Sequence, residues 1–507
     1  MPNPLPRRHF LLTSGGIAAG LAIGLPGLAA AGPRPGSNPE ADLYYRVLLR
    51  HTRWVNTVWD EAAGHYPLTD FNFAVVLGNA VVLTQGTYDA ELAGIDEDTL
   101  RDHTLRTIAY AAATNFFATG STWGDGGYAW GGRIFWDNTF ESYFVAAAKL
   151  MWSELDQSTR DNVDRIAVGG ADYVVGLAAT EDPRSGTWSS NGLTGGYRSD
   201  SKIEEMGAKS MPIATGLAYF PDHPNAPKWR EWHTRWLSNM TGLPAADQNN
   251  HTVIDGRPVS EWNTAQNVYD TYLVENHGSY APMYQQSTGA YPGRNAVHFL
   301  LAGTPLPDVL TKQPNAAALW ATMTRVGTAA GVSSYPMVND RYHLYGRDVL
   351  PLAWRRMGQK DRTIARAERM LIDHLEPYLL YPPENRLTKF SGEPKYEPEA
   401  RAEVAMAYLL HRLNGDVTPI SEQAYWASVS GITDHGTEVG LLAHQTTRAL
   451  AMAVTKPNFV KFAFLPEHDD WLFDATGAAP AFLPSTGLAV TGRTVVRRDD
   501  VTTTVLS

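Results

Sequence analysis

The chain has 507 residues, no cysteine and a formal net charge of −11 at pH 7. Without disulfides a protein of this length must be held by its hydrophobic core, and the acidic balance argues against a nucleic-acid partner, which needs a basic footprint. Aromatic residues are abundant, with 15 Trp and 23 Tyr, and their flat apolar faces suit sugar stacking as well as packing.

Arg7 and Arg8 precede His9, Phe10, Leu11 and Leu12, and a Gly- and Ala-rich run from Gly15 to Ala31 follows. This pattern reads as a twin-arginine (Tat) export signal over residues 1–31. The run is short and contains Pro26, whereas a membrane span needs about 20 strongly apolar residues. Cleavage after the small residues Ala29, Ala30 and Ala31 gives a mature protein from about Gly32, secreted in folded form, with no membrane segment. Residues 32–40 read as a linker.

Helical periodicity then recurs over Glu97–Thr114, Thr139–Leu155, Thr159–Ala178, Ile203–Tyr219, Lys228–Met240, Ala316–Ala330, Arg362–Leu379 and Pro398–Leu413. Loops rich in Gly, Asn and aromatics join these segments. No strand and helix alternation appears, so the expected fold is mainly α: an incomplete (α/α) toroid over residues 41–420. After about residue 420 the period changes to two, in Phe459–Leu465, Leu488–Val496 and Val501–Leu506, the mark of half-buried strands. A C-terminal antiparallel β-sandwich module is expected over 421–507, with the last strand running to the end of the chain as if inside a longer sandwich.

The densest polar stretch runs from Val274 to Gly293. It holds Glu275, Asn276 and His277 side by side, then Tyr280, Tyr284 and Tyr291 among Gly and Pro residues, and it reads as a loop on a rigid scaffold. A second polar loop, from Asn339 to Asp348, carries Arg341 and Arg347, whose planar guanidinium forks match carboxylates. Trp123, Trp130 and Trp136 lie in or beside a Gly-rich loop, placed either to stack sugars or to pack the helices.

β-Elimination of a uronic-acid polysaccharide calls for this set. The proton to be lost is not acidic until the adjacent carboxylate is neutralised, a task for Asn, His or Arg. Tyrosine, with an ordinary pKa of about 10, can act as base where cations favour its phenolate, and can then protonate the leaving oxygen. No metal or other cofactor is required.

Gly278-Ser279-Tyr280, Thr288-Gly289-Ala290-Tyr291 and Gly293 resemble the catalytic stretch of the hyaluronate, chondroitin and xanthan lyase family. Glu205-Met206-Gly207 upstream is similar to that family's Glu-Ile-Gly segment, and Gly346-Arg347 downstream to its catalytic Gly-Arg. The family's histidine position is held here by Met283 and Tyr284, so the nearest histidine is His277. Asp200, Ser201 and Lys202 stand where the family has its asparagine, which moves that role to Asn276. The resemblance implies Tyr291 as base and acid, His277 and Asn276 on the uronate carboxylate and Arg347 as the charge beside the tyrosine. Tyr280, Tyr284, Arg341, Glu205, Trp130 and Trp136 would contact the substrate. The net charge of −11 favours hyaluronan-like, glucuronan-like or xanthan-like chains over highly sulfated ones, and a monomer is expected.

Two other classes fit the residues. A glycoside hydrolase needs two carboxylates about 5 to 9.5 Å apart, for which Glu205 with Glu275 or Asp270 are candidates. A non-catalytic glycan-binding protein needs only the aromatics. Asp434, His435 and His444 do not match a metal-ligand spacing, and no Walker, dinucleotide or Gly-x-Ser-x-Gly motif is present.

Overall fold

The computed structural model describes residues 38–119, 130–131, 137–177, 201–276, 280–334, 345–389, 393–456, 459–468, 493–498 and 501–506. The export signal, Trp123, Trp136, His277 and Arg341 lie outside them.

The described part is mainly helical, with a small antiparallel sheet near its C-terminus. Its helices of eight residues or more are α1 (Pro39–Val55), α2 (Val76–Thr84), α3 (Glu97–Thr114), α4 (Asp137–Leu150), α5 (Gln157–Leu177), α6 (Ile203–Tyr219) and α7 (Ala226–Met240). They continue with α8 (Pro282–Ala302), α9 (Ala316–Thr324), α10 (Tyr345–Gln359), α11 (Arg362–Leu380), α12 (Tyr396–Leu413) and α13 (Glu422–Val429).

Local chemistry sets several of their ends. Asn38 accepts a hydrogen bond from the Ala41 amide and Pro39 takes the first helical position, so α1 begins inside the segment expected to be a linker. Asp96 caps α3 through the Thr99 amide, and Asp361 caps α11 through Thr363 and Ile364; each satisfies amides that have no partner within the helix. Gly303 ends α8 in the left-handed conformation at φ 67°. α9 stops at Thr324, short of the expected Ala330, because the chain turns at Gly327 into a bridge with Ser333.

Burial alternates along the chain. In α4, α6 and α12 every position from the first through Leu150, Ala218 and His411 respectively is buried, and the same holds for α8 from Pro282 to Phe299. α2 is buried from Val76 to Leu83 and α10 from Arg347 to Met357. The odd-numbered helices from α1 to α11 bury only part of their surface, the amphipathic pattern of elements with one face to solvent. Each even-numbered helix packs on the next, α2 on α4, α4 on α6, α6 on α8, α8 on α10 and α10 on α12, and α12 packs back on α2.

Strands β1 (Val253–Ile254) and β2 (Arg257–Pro258) form a short ribbon. The C-terminal sheet is an antiparallel meander of β3 (Gly431–Asp434), β4 (Leu441–Gln445), β5 (Ala449–Lys456) and β6 (Phe459–Pro466). In β5, Leu450, Met452 and Val454 are buried while Ala451 and Ala453 are half-buried, the expected period of two. The sheet is fastened to the helices after α9: Gln445 donates to the Gly327 carbonyl at 2.8 Å, and the Ala329 amide donates to the His468 carbonyl at 2.8 Å. A separate pair, β7 (Arg493–Arg498) and β8 (Val501–Leu506), is antiparallel in the register Arg493↔Leu506 to Arg498↔Val501.

Candidate active site around Tyr291

Tyr291 lies in the middle of α8, so the segment from Pro282 onward is a helix and not the expected loop. Pro282 fits at the first helical position, where its missing N–H costs nothing. The glycines serve as packing notches: a Cβ on Gly289 would meet Trp320 at 2.8 Å, and one on Gly293 would meet Trp354 at 3.0 Å. Arg347 likewise sits in the first turn of α10, buried, and not in a solvated polar loop.

The Tyr291 ring packs against α6 at Gly207, where a Cβ would stand 2.3 Å from ring atoms. One turn further along α8, the Arg294 guanidinium carbon lies 4.6 Å from the ring centroid. α12 fixes this arginine: Nε donates to Glu403 Oε1 at 3.0 Å and Nη2 to Glu399 Oε1 at 3.1 Å. Arg347 brings Nε to 3.1 Å from Glu399 Oε2 and donates Nη1 to the Met283 sulfur at 3.0 Å. Tyr143 of α4 completes the network by donating to Glu403 Oε1 at 2.9 Å. Arg294, Glu399 and Glu403 are about 1% exposed and Arg347 is 7% exposed.

This environment does not favour the phenolate at rest. Burial, then the Glu204 charge, push the Tyr291 hydroxyl far above its ordinary value; Arg294 and Arg347 pull it down, and Glu399 adds to the rise. Burial also raises the Glu403 carboxyl, against the pull of Arg294 and Arg347. The cations expected beside the tyrosine are present, but desolvation outweighs them.

The same cluster concentrates polar atoms that have no hydrogen-bond partner: Arg294 Nη1, Arg347 Nε, Glu399 Oε2, Glu403 Oε2 and Asn295 Oδ1. The Arg347 to Glu399 contact is close enough for charge pairing without hydrogen-bond alignment. Buried polar groups are satisfied in the great majority of cases, so Arg294 Nη1 and Glu403 Oε2, which lack even an ion-pair contact, stand out in this cluster.

Other expected residues fall nearby. Glu205 is in the first turn of α6, two residues before Gly207, with Lys202 Nζ at 4.0 Å. The Ser201 amide donates to the Glu275 carbonyl at 2.8 Å, which sets Glu275 and Asn276 beside the start of α6. Tyr269 donates its hydroxyl to Glu275 and lies edge-on to Tyr280, with ring centroids 5.5 Å apart. Asn276, Tyr280 and Tyr284 are all buried, whereas Asp270 is exposed.

Trp130 is not a sugar platform. It is fully buried, its indole N–H donates to the Ala111 carbonyl at 3.0 Å, and its ring contacts Phe73 and Phe144 at 4.7 and 5.5 Å. His298 is a core residue. Its Nε2 lies 2.6 Å from Ser142 Oγ and its Nδ1 3.1 Å from the Tyr219 hydroxyl, and burial lowers it to about 3.

Sequence reasoning missed Arg294, Glu399, Glu403 and Tyr143. A signal existed, because Arg294 follows Tyr291 by three and Glu399 precedes Glu403 by four, spacings that share one helical face. It becomes readable only once both segments are assigned as helices. Among the described residues no group of three His, Asp or Glu side chains is placed to hold a metal ion, and no helix is long and apolar enough to cross a membrane. No protein-family model matches the chain, and no curated protein matches it.

Proposed function

We propose that the protein is a secreted polysaccharide lyase, exported by its twin-arginine signal, that cleaves a uronic-acid-containing chain by β-elimination. The observation that carries this reading is the buried cluster of two arginines and two glutamates around Tyr291, in which Arg294 Nη1 and Glu403 Oε2 have no partner. In the reaction, the Tyr291 phenolate takes the proton on C5 of the uronate. The C4–O bond breaks as the C4=C5 double bond forms, and the proton passes from Tyr291 to the departing oxygen. Asn276 and His277 neutralise the uronate carboxylate, and Arg347 holds positive charge near the tyrosine. Tyr280, Tyr284, Glu205, Arg341 and Trp136 are the candidate contacts to the sugar chain. The enzyme acts as a monomer without a cofactor.

The fold is an (α/α) toroid followed by a β-sandwich module. The regular alternation of fully buried and amphipathic helices, with α12 packed back on α2, supports an inner and an outer ring. The β3–β6 meander and the separate β7–β8 pair supply strands for two sheets.

The test is ultraviolet absorbance of a 4,5-unsaturated uronate while the protein is mixed with hyaluronan, glucuronan and xanthan, beside a Tyr291→Phe control. Rising absorbance that the substitution abolishes is the expected result. New reducing ends without absorbance would replace the lyase by a hydrolase, and binding without turnover would replace it by a glycan-binding protein.

A further inference from the structure

Tyr291 lies in the field of charged groups from four helices: Glu204 from α6, Arg294 from its own α8, Arg347 from α10 and Glu399 from α12. The two arginines are not equivalent. Arg347 spends Nη1 on the Met283 sulfur at 3.0 Å, and its guanidinium carbon lies 5.0 Å from the Tyr396 ring centroid. Arg294 lies 4.6 Å from the Tyr291 ring, and its Nε and Nη2 are held by Glu403 and Glu399. Its remaining terminal nitrogen, Nη1, has no partner although the side chain is 1% exposed. Beyond Tyr291, Arg294 faces Tyr143, 5.7 Å away on α4, and the two glutamates of α12.

We propose that Arg294 is the positioning residue that activates Tyr291: Glu399 and Glu403 lock its guanidinium over the ring, leaving Nη1 free for the negative charge that forms when the hydroxyl ionises. This rests on the reading of Tyr291 as the base, and it adds a residue that the resemblance to the lyase family does not supply. The lock has a physical purpose. A fully buried phenol loses the stabilisation of its anion by water, and a cation held within about 4 to 6 Å returns part of it, worth about 1 to 3 pH units of ionisation. A guanidinium already clamped by two carboxylates needs no reorganisation when the charge appears. The proton that Tyr291 loses before turnover goes to solvent; during turnover the proton taken from C5 returns to the leaving oxygen, so nothing else is consumed.

The absence of cysteine from the chain permits a test that needs no substrate. Tyr291→Cys in the full chain places a single thiol at the site, whose thiolate absorbance reports its ionisation directly. The comparison is between Tyr291→Cys/Glu403→Gln and the same protein with Arg294→Met, so that a carboxylate is not left buried against nothing. Loss of Arg294 should move the thiol titration up by about one pH unit or more, and Arg294→Lys, which keeps the charge, should restore most of it. An unchanged titration, or a change that lysine does not rescue, would overturn the proposal and leave Arg294 a packing role. Thermal melts confirm that each variant compared is folded.

A second arm uses turnover. With Tyr291 intact, Arg294→Met should lower kcat with little change in KM and shift the rise of kcat/KM to higher pH by about 1 to 3 units. Because burial already holds the Tyr291 hydroxyl far above its ordinary value, that shift reads at ordinary pH as a uniform loss of kcat/KM of about 10- to 1000-fold; no such loss, or a loss that Arg294→Lys does not largely rescue, would overturn the proposal. If no uronic-acid polysaccharide is cleaved at all, the lyase reading falls while the thiol titration still decides the role of Arg294. If cleavage is found and the titration does not move, only the Arg294 inference falls.

Discussion

Replacing Gly207 by alanine tests whether the Tyr291 ring is held where the chemistry requires it. The new Cβ would stand 2.3 Å from Cδ2 and Cγ and 2.9 Å from Cδ1 of Tyr291. Carbon atoms rest about 3.5 to 4.0 Å apart, so the ring has to retreat by roughly 1 Å. Two effects on stability oppose each other. Overpacking a dense core costs about 1 to 3 kcal/mol, while alanine gains about 1 kcal/mol over glycine inside a helix, leaving a net loss of about 0 to 2 kcal/mol. Activity has no such compensation, because a 1 Å misplacement of a reacting group costs on the order of 100-fold in rate. Gly207→Ala should therefore melt close to the wild-type temperature and lose about 100-fold in kcat, measured by the absorbance of the unsaturated product. A kcat within about threefold of wild type, in a protein of unchanged stability, would refute the placement of Tyr291 as the reacting group.

Trp130→Ala separates packing from sugar binding: removal of a fully buried indole should cost about 3 to 5 kcal/mol in denaturant titration, while affinity for polysaccharide stays unchanged wherever the variant is folded. A loss of affinity with intact stability would restore the sugar-stacking role. Acid should destabilise the protein through its buried histidines. Burial holds His298 at about 3 and shifts His233 in the same direction, against about 6.5 when unfolded. The unfolded chain then binds more protons between those values, so the neutral histidines stabilise the fold above about pH 6.5, and that contribution is lost as pH falls toward 3. Each such histidine gives a slope of up to about 1.4 kcal/mol per pH unit. Replacing His298 by glutamine should flatten the stability profile in this window, and an unchanged slope would refute the assignment.

The sequence by itself determined those elements whose signals are local. α3 and α6 occupy Glu97–Thr114 and Ile203–Tyr219 and β8 occupies Val501–Leu506, the spans read from periodicity, because caps, helical spacing and strand alternation act within a few residues. The change from helices to strands was legible for the same reason, but not its place: α13 occupies Glu422–Val429 and the sheet begins only at Gly431. Only the tertiary structure decided that α8 and α10 are helices at all. Their Gly, Pro and polar residues resemble a loop until a neighbour fills the notch: Gly289 makes sense against Trp320 and Pro351, Gly293 against Trp354, and Gly207 against the Tyr291 ring. The charges of the site were equally hidden, since Arg294 finds Glu403 across 109 positions of sequence. A buried guanidinium is tolerable only when a carboxylate meets it in space, and no local pattern records which distant helix will bring one.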